Sequence, residues 1–269
     1  MRIVRSAAEA REALAPARAA GSIIGLVPTM GAFHEGHVAL LRAARERCDL
    51  VVVSLFVNPA QFGPSEDLAR YPRDEVRDAG LAEEGNVDIL FAPSSEEVYP
   101  AGFSTWVDPG PLATLLEGAA RPGHFRGVAT VCTKLFGIVQ PQVAFFGRKD
   151  AQQIAVVKRV VRDLNLPVEI VSCPTVRDPD GLALSSRNAF LSAGERAIAL
   201  TLPRALQEGL RAHRSGTDAV AATRAVLDAE PGLSVDYVAE ADLDGPTLAA
   251  AVRVGSTRLI DNVRLSEEA

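Results

Sequence analysis

Short runs of β-branched and aliphatic residues recur through the first two-thirds of the chain, each followed by a stretch of helical periodicity, and this alternation leaves few architectures open. Residues 22–27, 49–58, 87–92, 142–146 and 168–172 are the strand candidates. Between the first two, residues 37–47 carry Leu40, Leu41 and Ala44 at helical spacing. Strands alternating with helices predict βαβ units around a mainly parallel sheet, an α/β fold. The longest strongly apolar stretch, 50–57, is broken by Ser54. It falls far short of the roughly 20 residues that cross a bilayer, so it reads as a buried strand and no membrane partner is expected.

The texture changes near Asp178-Pro179-Asp180-Gly181, a turn signal after which the sequence becomes helix-rich. Ser192 and Glu195 have capping-box spacing, and Pro203 is expected to kink or divide the helix they open. Residues 217–229 suggest another helix, and 235–238 and 258–263 suggest strands. The division predicted is a larger domain, 1–175, and a smaller C-terminal α+β domain, 176–269.

The chain has 269 residues, 48% of them hydrophobic, enough to bury a sizeable core. Its first 21 residues are rich in Arg and Ala, yet they include Glu9 and Glu12, and Ser6 with Glu9 fits a capping box. A structural first helix is therefore expected in place of a targeting peptide. Cys48, Cys132 and Cys173 form no CxxC pair, which indicates neither a disulfide framework nor a zinc site and suits a reducing cytoplasm. A formal net charge of −6 argues against nucleic acid as a partner.

Chemistry concentrates in His34-Glu35-Gly36-His37, just after the first strong strand and at the start of a helix. A helix N-terminus offers free amides and the positive end of a dipole to anions. Two imidazoles at i and i+3 point to one side and add donors, while Gly36 allows close backbone approach to a nucleotide. The spacing is HExH, so the i, i+4 geometry of a zinc metalloprotease is excluded. No GxxxxGK[ST] or GxGxxG motif is present, and phosphate binding must be organised differently. Further donors occur in Phe146-Gly147-Arg148-Lys149-Asp150, at a strand end, and in Leu184-Ser185-Ser186-Arg187-Asn188, after a turn. His124 and His213 read as a hydrogen-bonded structural residue and an exposed helix residue.

Together with Asn58-Pro59-Ala60-Gln61-Phe62-Gly63, these segments give the chain its resemblance to the pantothenate synthetase (pantoate-β-alanine ligase) family. The stretches that carry it are PTMGAFHEGH, SLFVNPAQFG, DLARYPRD, EGAARPGHFRGV, FFGRKDAQQ and PTVRDPDGLALSSRN, and they span essentially the full length. The resemblance implies a Rossmann-like doubly wound parallel sheet in the ATP- and pantoate-binding domain. It also implies a cytoplasmic homodimer that uses ATP and Mg²⁺ to join pantoate to β-alanine through a pantoyl adenylate. By the same resemblance Met30, Gly31, Ala32, Phe33, His34, Glu35, Gly36 and His37 line the ATP site, with His37 as proton donor. Gly147, Arg148, Lys149, Asp150, Val176, Leu184, Ser185, Ser186 and Arg187 are further nucleotide contacts. Gln61 and Gln153 hold pantoate, Gln61 also meets β-alanine, Asn58, Glu117 and Arg121 line the pocket, and Asp78 matches a metal-side carboxylate.

Two positions depart from the family. Leu184 stands where Met is usual, a nearly volume-conserving exchange. Arg148 stands where Glu or Gln is common, so a nucleotide contact there is expected through the backbone. The residues alone support the chemistry: a carboxylate attacking the α-phosphorus brings negative charge toward negative charge, so His34, His37, Lys149, Ser185, Ser186 and Arg187 serve as positioned donors. Two rival readings are a related HxGH adenylyltransferase acting on a phosphorylated metabolite and a nucleotide-sensing module without turnover. The first calls for a cationic substrate pocket, where this chain has two glutamines. Residues 63–74, charged and bounded by Gly and Pro, are expected to form an active-site cover.

Overall fold

The structure is a computed structural model that describes residues 1–63 and 67–266. It divides into two compact units, one of Met1–Gly147 with Gln153–Cys173, the other of Arg148–Gln152 with the chain from Pro174 onward. The five-residue excursion at Arg148–Gln152 is marked by no turn signal in the sequence.

The first unit contains β1 (Arg2–Val4), α1 (Ala7–Ala19), β2 (Ile24–Thr29), α2 (Glu35–Arg47), β3 (Leu50–Leu55), α3 (Glu75–Glu84), β4 (Ile89–Phe91), α4 (Ser95–Val98), α5 (Glu117–Ala120), α6 (His124–Val139), β5 (Val143–Gly147), α7 (Ala151–Asp163, its first two residues grouping with the other unit) and β6 (Glu169–Cys173). Its six strands are all parallel, in the order β1-β4-β3-β2-β5-β6. The chain winds one way from β2 through β3 to β4 and the other way through β5 to β6. The carboxyl ends of β2 and β5 therefore flank a topological switch point, where ligands bind in open α/β sheets.

Both faces of this sheet are covered. Ala10 and Leu14 of α1, Phe125, Val128 and Leu135 of α6 and Ile154 of α7 pack on one side with Ile24, Leu26 and Val52. Leu40, Leu41 and Ala44 of α2 and Ala82 of α3 pack on the other with Val27, Val51 and Val53. Such two-sided burial explains why the central strands read as continuous apolar runs. The Ser6–Glu9 capping box is formed at α1. The three-residue β1, which no sequence pattern announces, takes its strand geometry from pairing Arg2 with Ile89 and Val4 with Phe91.

The second unit packs α8 (Ala193–Ala199), α9 (Thr201–Arg214) and α10 (Ala219–Asp228) on an antiparallel sheet of β7 (Leu233–Asp242), β8 (Pro246–Val254) and β9 (Thr257–Arg264). The Ser192–Glu195 capping box opens α8, and the helix divides at Leu200, placing Pro203 in the first turn of α9 where its missing N–H is tolerated. His213 is exposed on α9, as the sequence suggests. The central strand β8 is absent from the sequence expectation. Among the described residues, no helix is long and apolar enough to cross a membrane. Of the 63–74 segment expected to cover the site, residues 64–66 lie outside the described residues; Asp67–Arg70 form one 3₁₀ turn, and Tyr71 packs edge-on against Phe62.

Candidate active site

The loop leaving the carboxyl end of β2 is shaped by a buried carboxylate. Gly31 and Ala32 both take left-handed conformations, with φ of 88° and 55°. This turns the amides of Ala32 and Phe33 toward Asp78 of α3, whose Oδ2 and Oδ1 each accept one at 2.8 Å. Asp78 is 1% exposed. A Cβ at position 31 would come within 2.9 Å of Asp78 Oδ2, so glycine suits this turn for space as well as for conformation. Asp78 thus anchors this loop, each of its two oxygens accepting one backbone hydrogen. Asp78→Asn sets an NH₂ group against one of those amides. It is expected to destabilise the fold by about 1–3 kcal/mol, the cost of a buried unsatisfied donor, read by urea denaturation.

The anchored loop delivers His34 as the N-cap of α2. Its Nδ1 accepts from the Gly36 amide (3.1 Å), and the Nδ1 of His37 accepts from the His34 amide (3.3 Å), a reciprocal capping box built from two histidines. Accepting at Nδ1 places the proton of each neutral ring on Nε2, so both rings carry an Nε2–H donor. The rings lie 4.3 Å apart, and His37 stacks on buried Phe33 at 5.0 Å. One detail differs from the sequence expectation: the Gly36 amide at this helix start is already engaged by His34 Nδ1. Exposed Glu35 occupies the first turn of α2, where an acidic side chain suits the helix dipole.

Beyond β3 the chain makes a 3₁₀ turn, Pro59–Gln61, capped by Asn58. Asn58 is 1% exposed and uses its whole amide: Oδ1 accepts from Tyr99 Oη (2.8 Å) and the Ala60 amide (3.3 Å), while Nδ2 donates to Gln61 Oε1 (3.0 Å) and the Gly127 carbonyl (3.2 Å). Gln61 Nε2 in turn donates to Met30 Sδ at 3.0 Å. The Gln61 carbonyl is held separately, accepting from His124 Nδ1 (2.8 Å) and Arg121 Nη2 (3.3 Å). Arg121 Nη1 also donates to His124 Nε2 (3.2 Å), which fixes the Nδ1–H tautomer of that buried ring. Both ring nitrogens of His124 are thus engaged by hydrogen bonds. Glu117 is buried on α5, directly after Leu116, whose φ of 47° is unusual for a side-chain-bearing residue. Gln153 lies half-buried near the start of α7. Tyr99 had no sequence signal: only the fold carries α4 to the Asn58 turn.

The expected nucleotide contacts of the second unit are also firmly held. The carbonyls of Arg148 and Lys149 both accept from Asn262 Nδ2 of β9, at 3.0 and 2.9 Å. The Arg148 guanidinium bonds Asp244 Oδ2, the Asp244 carbonyl and Thr247 Oγ1, each at 3.2 Å, and burial pushes its pKa down. Its charge is committed to the β7–β8 turn, which removes its side chain, though not its backbone, from the expected ATP contacts. Lys149 Nζ lies 3.9 Å from Asp150 Oδ1. Val176 and Leu184 pair across a hairpin through a 3.0 Å backbone bond, and Arg196 clamps that hairpin by binding Asp178 and Asp180. Ser185 then caps the 3₁₀ turn Ser186–Phe190, its Oγ accepting from the Arg187 amide at 3.3 Å, so that its own O–H is a donor. Among the described residues no group of three or more His, Cys, Asp or Glu side chains could hold a metal ion.

Comparison with known proteins gives the family. Residues 2–264 match the family model described as pantoate-beta-alanine ligase. The chain is 56% identical to the pantothenate synthetase of Roseiflexus castenholzii, over 97% of this chain and 98% of that one, and 52% identical to that of Moorella thermoacetica, over 98% and 99%. The crystal structure of pantothenate synthetase from Thermus thermophilus superposes with a TM-score of 0.94 at 48% identity, covering 99% of this chain and all of that one. The Francisella tularensis pantoate-beta-alanine ligase, solved in complex with beta-gamma ATP and β-alanine, gives 0.85 at 33% identity, covering 98% of each chain. With its whole length matched and its fold shared, this chain is a member of the pantoate-β-alanine ligase family, the pantothenate synthetases.

Proposed function

We propose that this protein condenses pantoate with β-alanine, using ATP, and that a pantoyl adenylate is the intermediate. The observation that carries the reading is the pairing of two features at neighbouring strand ends in the first unit: a pair of imidazole Nε2–H donors after β2, and the uncharged Asn58–Gln61 amide pair after β3. The donors suit phosphate oxygens, and the amides suit a hydroxy acid better than a phosphorylated metabolite.

In this mechanism the pantoate carboxylate attacks the α-phosphorus, forming a P–O bond as the bond to pyrophosphate breaks. His34 and His37 donate from Nε2 to oxygens that gain charge in the transition state, and His37 is assigned as the proton donor to the departing group. Met30, Gly31, Ala32 and Phe33 form the wall of the same loop. On the family resemblance Lys149, Ser185, Ser186 and Arg187 are assigned to ATP binding, with Gly147, Asp150, Val176 and Leu184 as further contacts. Gln61 and Gln153 are assigned to pantoate. β-Alanine then attacks the acyl carbon as its free amine, loses a proton, and expels AMP. No nucleophilic side chain is required, because the acyl group is activated on AMP. Magnesium is assigned as the counter-ion of ATP, a mode that relies on the phosphates and needs no protein cage; when bound it neutralises phosphate charge. The proposal includes a homodimer in the cytoplasm, in keeping with the family resemblance and with three buried free cysteines.

The test omits β-alanine. Protein given MgATP and pantoate alone is expected to release about one pyrophosphate per active site and to retain the acyl adenylate, which a closed site protects from water. Later addition of β-alanine should release AMP and pantothenate together. Pyrophosphate that appears only when β-alanine is present from the start excludes the stepwise adenylate. Pyrophosphate that stays absent with pantoate but appears when a phosphorylated metabolite is supplied as acceptor favours a simple adenylyltransferase.

A further inference from the structure

The Asn58–Gln61 pair has a fixed polarity, and the backbone settles its sense. The Ala60 amide can only donate and the Gly127 carbonyl can only accept, so Asn58 must direct Oδ1 to the first and Nδ2 to the second. Nδ2 then donates to Gln61 Oε1, which leaves Gln61 with Nε2 as its outward end. Among the described residues that nitrogen bonds Met30 Sδ, a weak acceptor that a ligand oxygen would supplement or replace. Asn58 Oδ1 also accepts from Tyr99 Oη at 2.8 Å, reaching across from the end of α4.

We propose that Tyr99 is a positioning residue for the hydroxy-acid substrate: by holding Asn58 Oδ1 it keeps the Gln61 amide turned so that it offers N–H hydrogens, and no acceptor, to a substrate oxygen. The assignment rests on the functional reading above, and it adds a selection rule. The group facing Gln61 must present lone pairs, as a hydroxyl or carboxylate oxygen does, and an ammonium at that place is rejected. Tyr99 is suited to the task. Its ring is fixed by Phe103 at 5.0 Å, edge-on, and by Trp106, stacked at 6.2 Å. Burial pushes its phenol pKa up, which keeps the hydroxyl protonated and donating.

Tyr99→Phe retains the ring contacts and removes only the donor. It is expected to raise the pantoate KM about three- to tenfold, the contribution of one neutral hydrogen bond, and to leave the ATP KM within about twofold. In a Gln61→Ala background the same change should cost less than about twofold, because the group it orients is gone. Should Gln61→Ala turn over too slowly for kinetics, pantoate binding by calorimetry replaces KM in both backgrounds. An unchanged pantoate KM, pantoate and ATP KM values that rise together, or an equal loss in both backgrounds overturns the assignment. Wild-type protein that makes no pyrophosphate from ATP and pantoate fails the functional reading itself, before any variant is compared.

Discussion

Replacing His37 with alanine is expected to leave the protein folded and to slow adenylate formation about 10²- to 10³-fold, the usual cost of losing one donor aimed at transition-state charge. His37 is the better of the two histidines for this test. His34 is the N-cap of α2, so its removal mixes chemistry with a capping loss of about 1 kcal/mol. His37 lies inside the first turn, where alanine is a better helix former than histidine. Its structural contacts include a 3.3 Å acceptor contact with the His34 amide and the stack on Phe33, both modest. The variant should therefore melt close to the wild-type temperature and fail in single-turnover pyrophosphate release. A wild-type rate removes His37 from the chemistry.

The parallel sheet was legible because its central strands are buried on both faces and so read as unbroken β-branched runs. Two strands were not, for different reasons. β1 is three residues long and owes its conformation to pairing with β4. β8 carries Ala249, Ala250 and Ala251, residues depleted in strands, yet it is the central strand between β7 and β9 and all three are buried, Ala250 against the helices of its unit. There a small side chain is what the packing admits, and tertiary context overrides propensity.

The site divides in the same way. The histidine pair was legible because a strand, a glycine-containing turn and a helix start are adjacent in sequence. What each neighbouring group does was not, because it depends on contacts distant along the chain. Asp78 matches a metal-side position by motif, and only the fold brings it beneath the Ala32 and Phe33 amides. Arg148 carries a charge next to a phosphate-binding motif, and only the fold shows that charge engaged by Asp244 and Thr247. Tyr99 meets Asn58 because α4 returns to the end of β3, a contact no local pattern encodes.

A close backbone approach in the first unit supplies the most demanding test of this arrangement. Where α6 crosses the Asn58–Gln61 turn, Gly127 has no side chain, and a Cβ built there would lie 2.2 Å from the Ala60 oxygen, 2.5 Å from its carbonyl carbon and 2.7 Å from Gln61 Cα. All three are backbone atoms, so no side-chain rotation can relieve the clash, and either α6 or the turn must move. α6 is anchored in the core through Phe125, Val128, Leu135 and Phe136. The turn is held mainly by hydrogen bonds, one of them from Asn58 to the Gly127 carbonyl itself. The turn is therefore expected to yield, by about 1 Å, and a displacement of that size at a substrate-positioning group costs about 10²-fold in rate. Gly127→Ala should lower pantoate-dependent pyrophosphate release by about that factor while ATP binding by calorimetry changes little. Gly137 provides the control within the same helix: it is exposed, and a Cβ there would meet nothing within 4 Å. Gly137→Ala should stabilise the protein by up to about 1 kcal/mol and leave the rate unaltered. Equal behaviour of the two variants, in either direction, means that α6 does not set the position of Gln61.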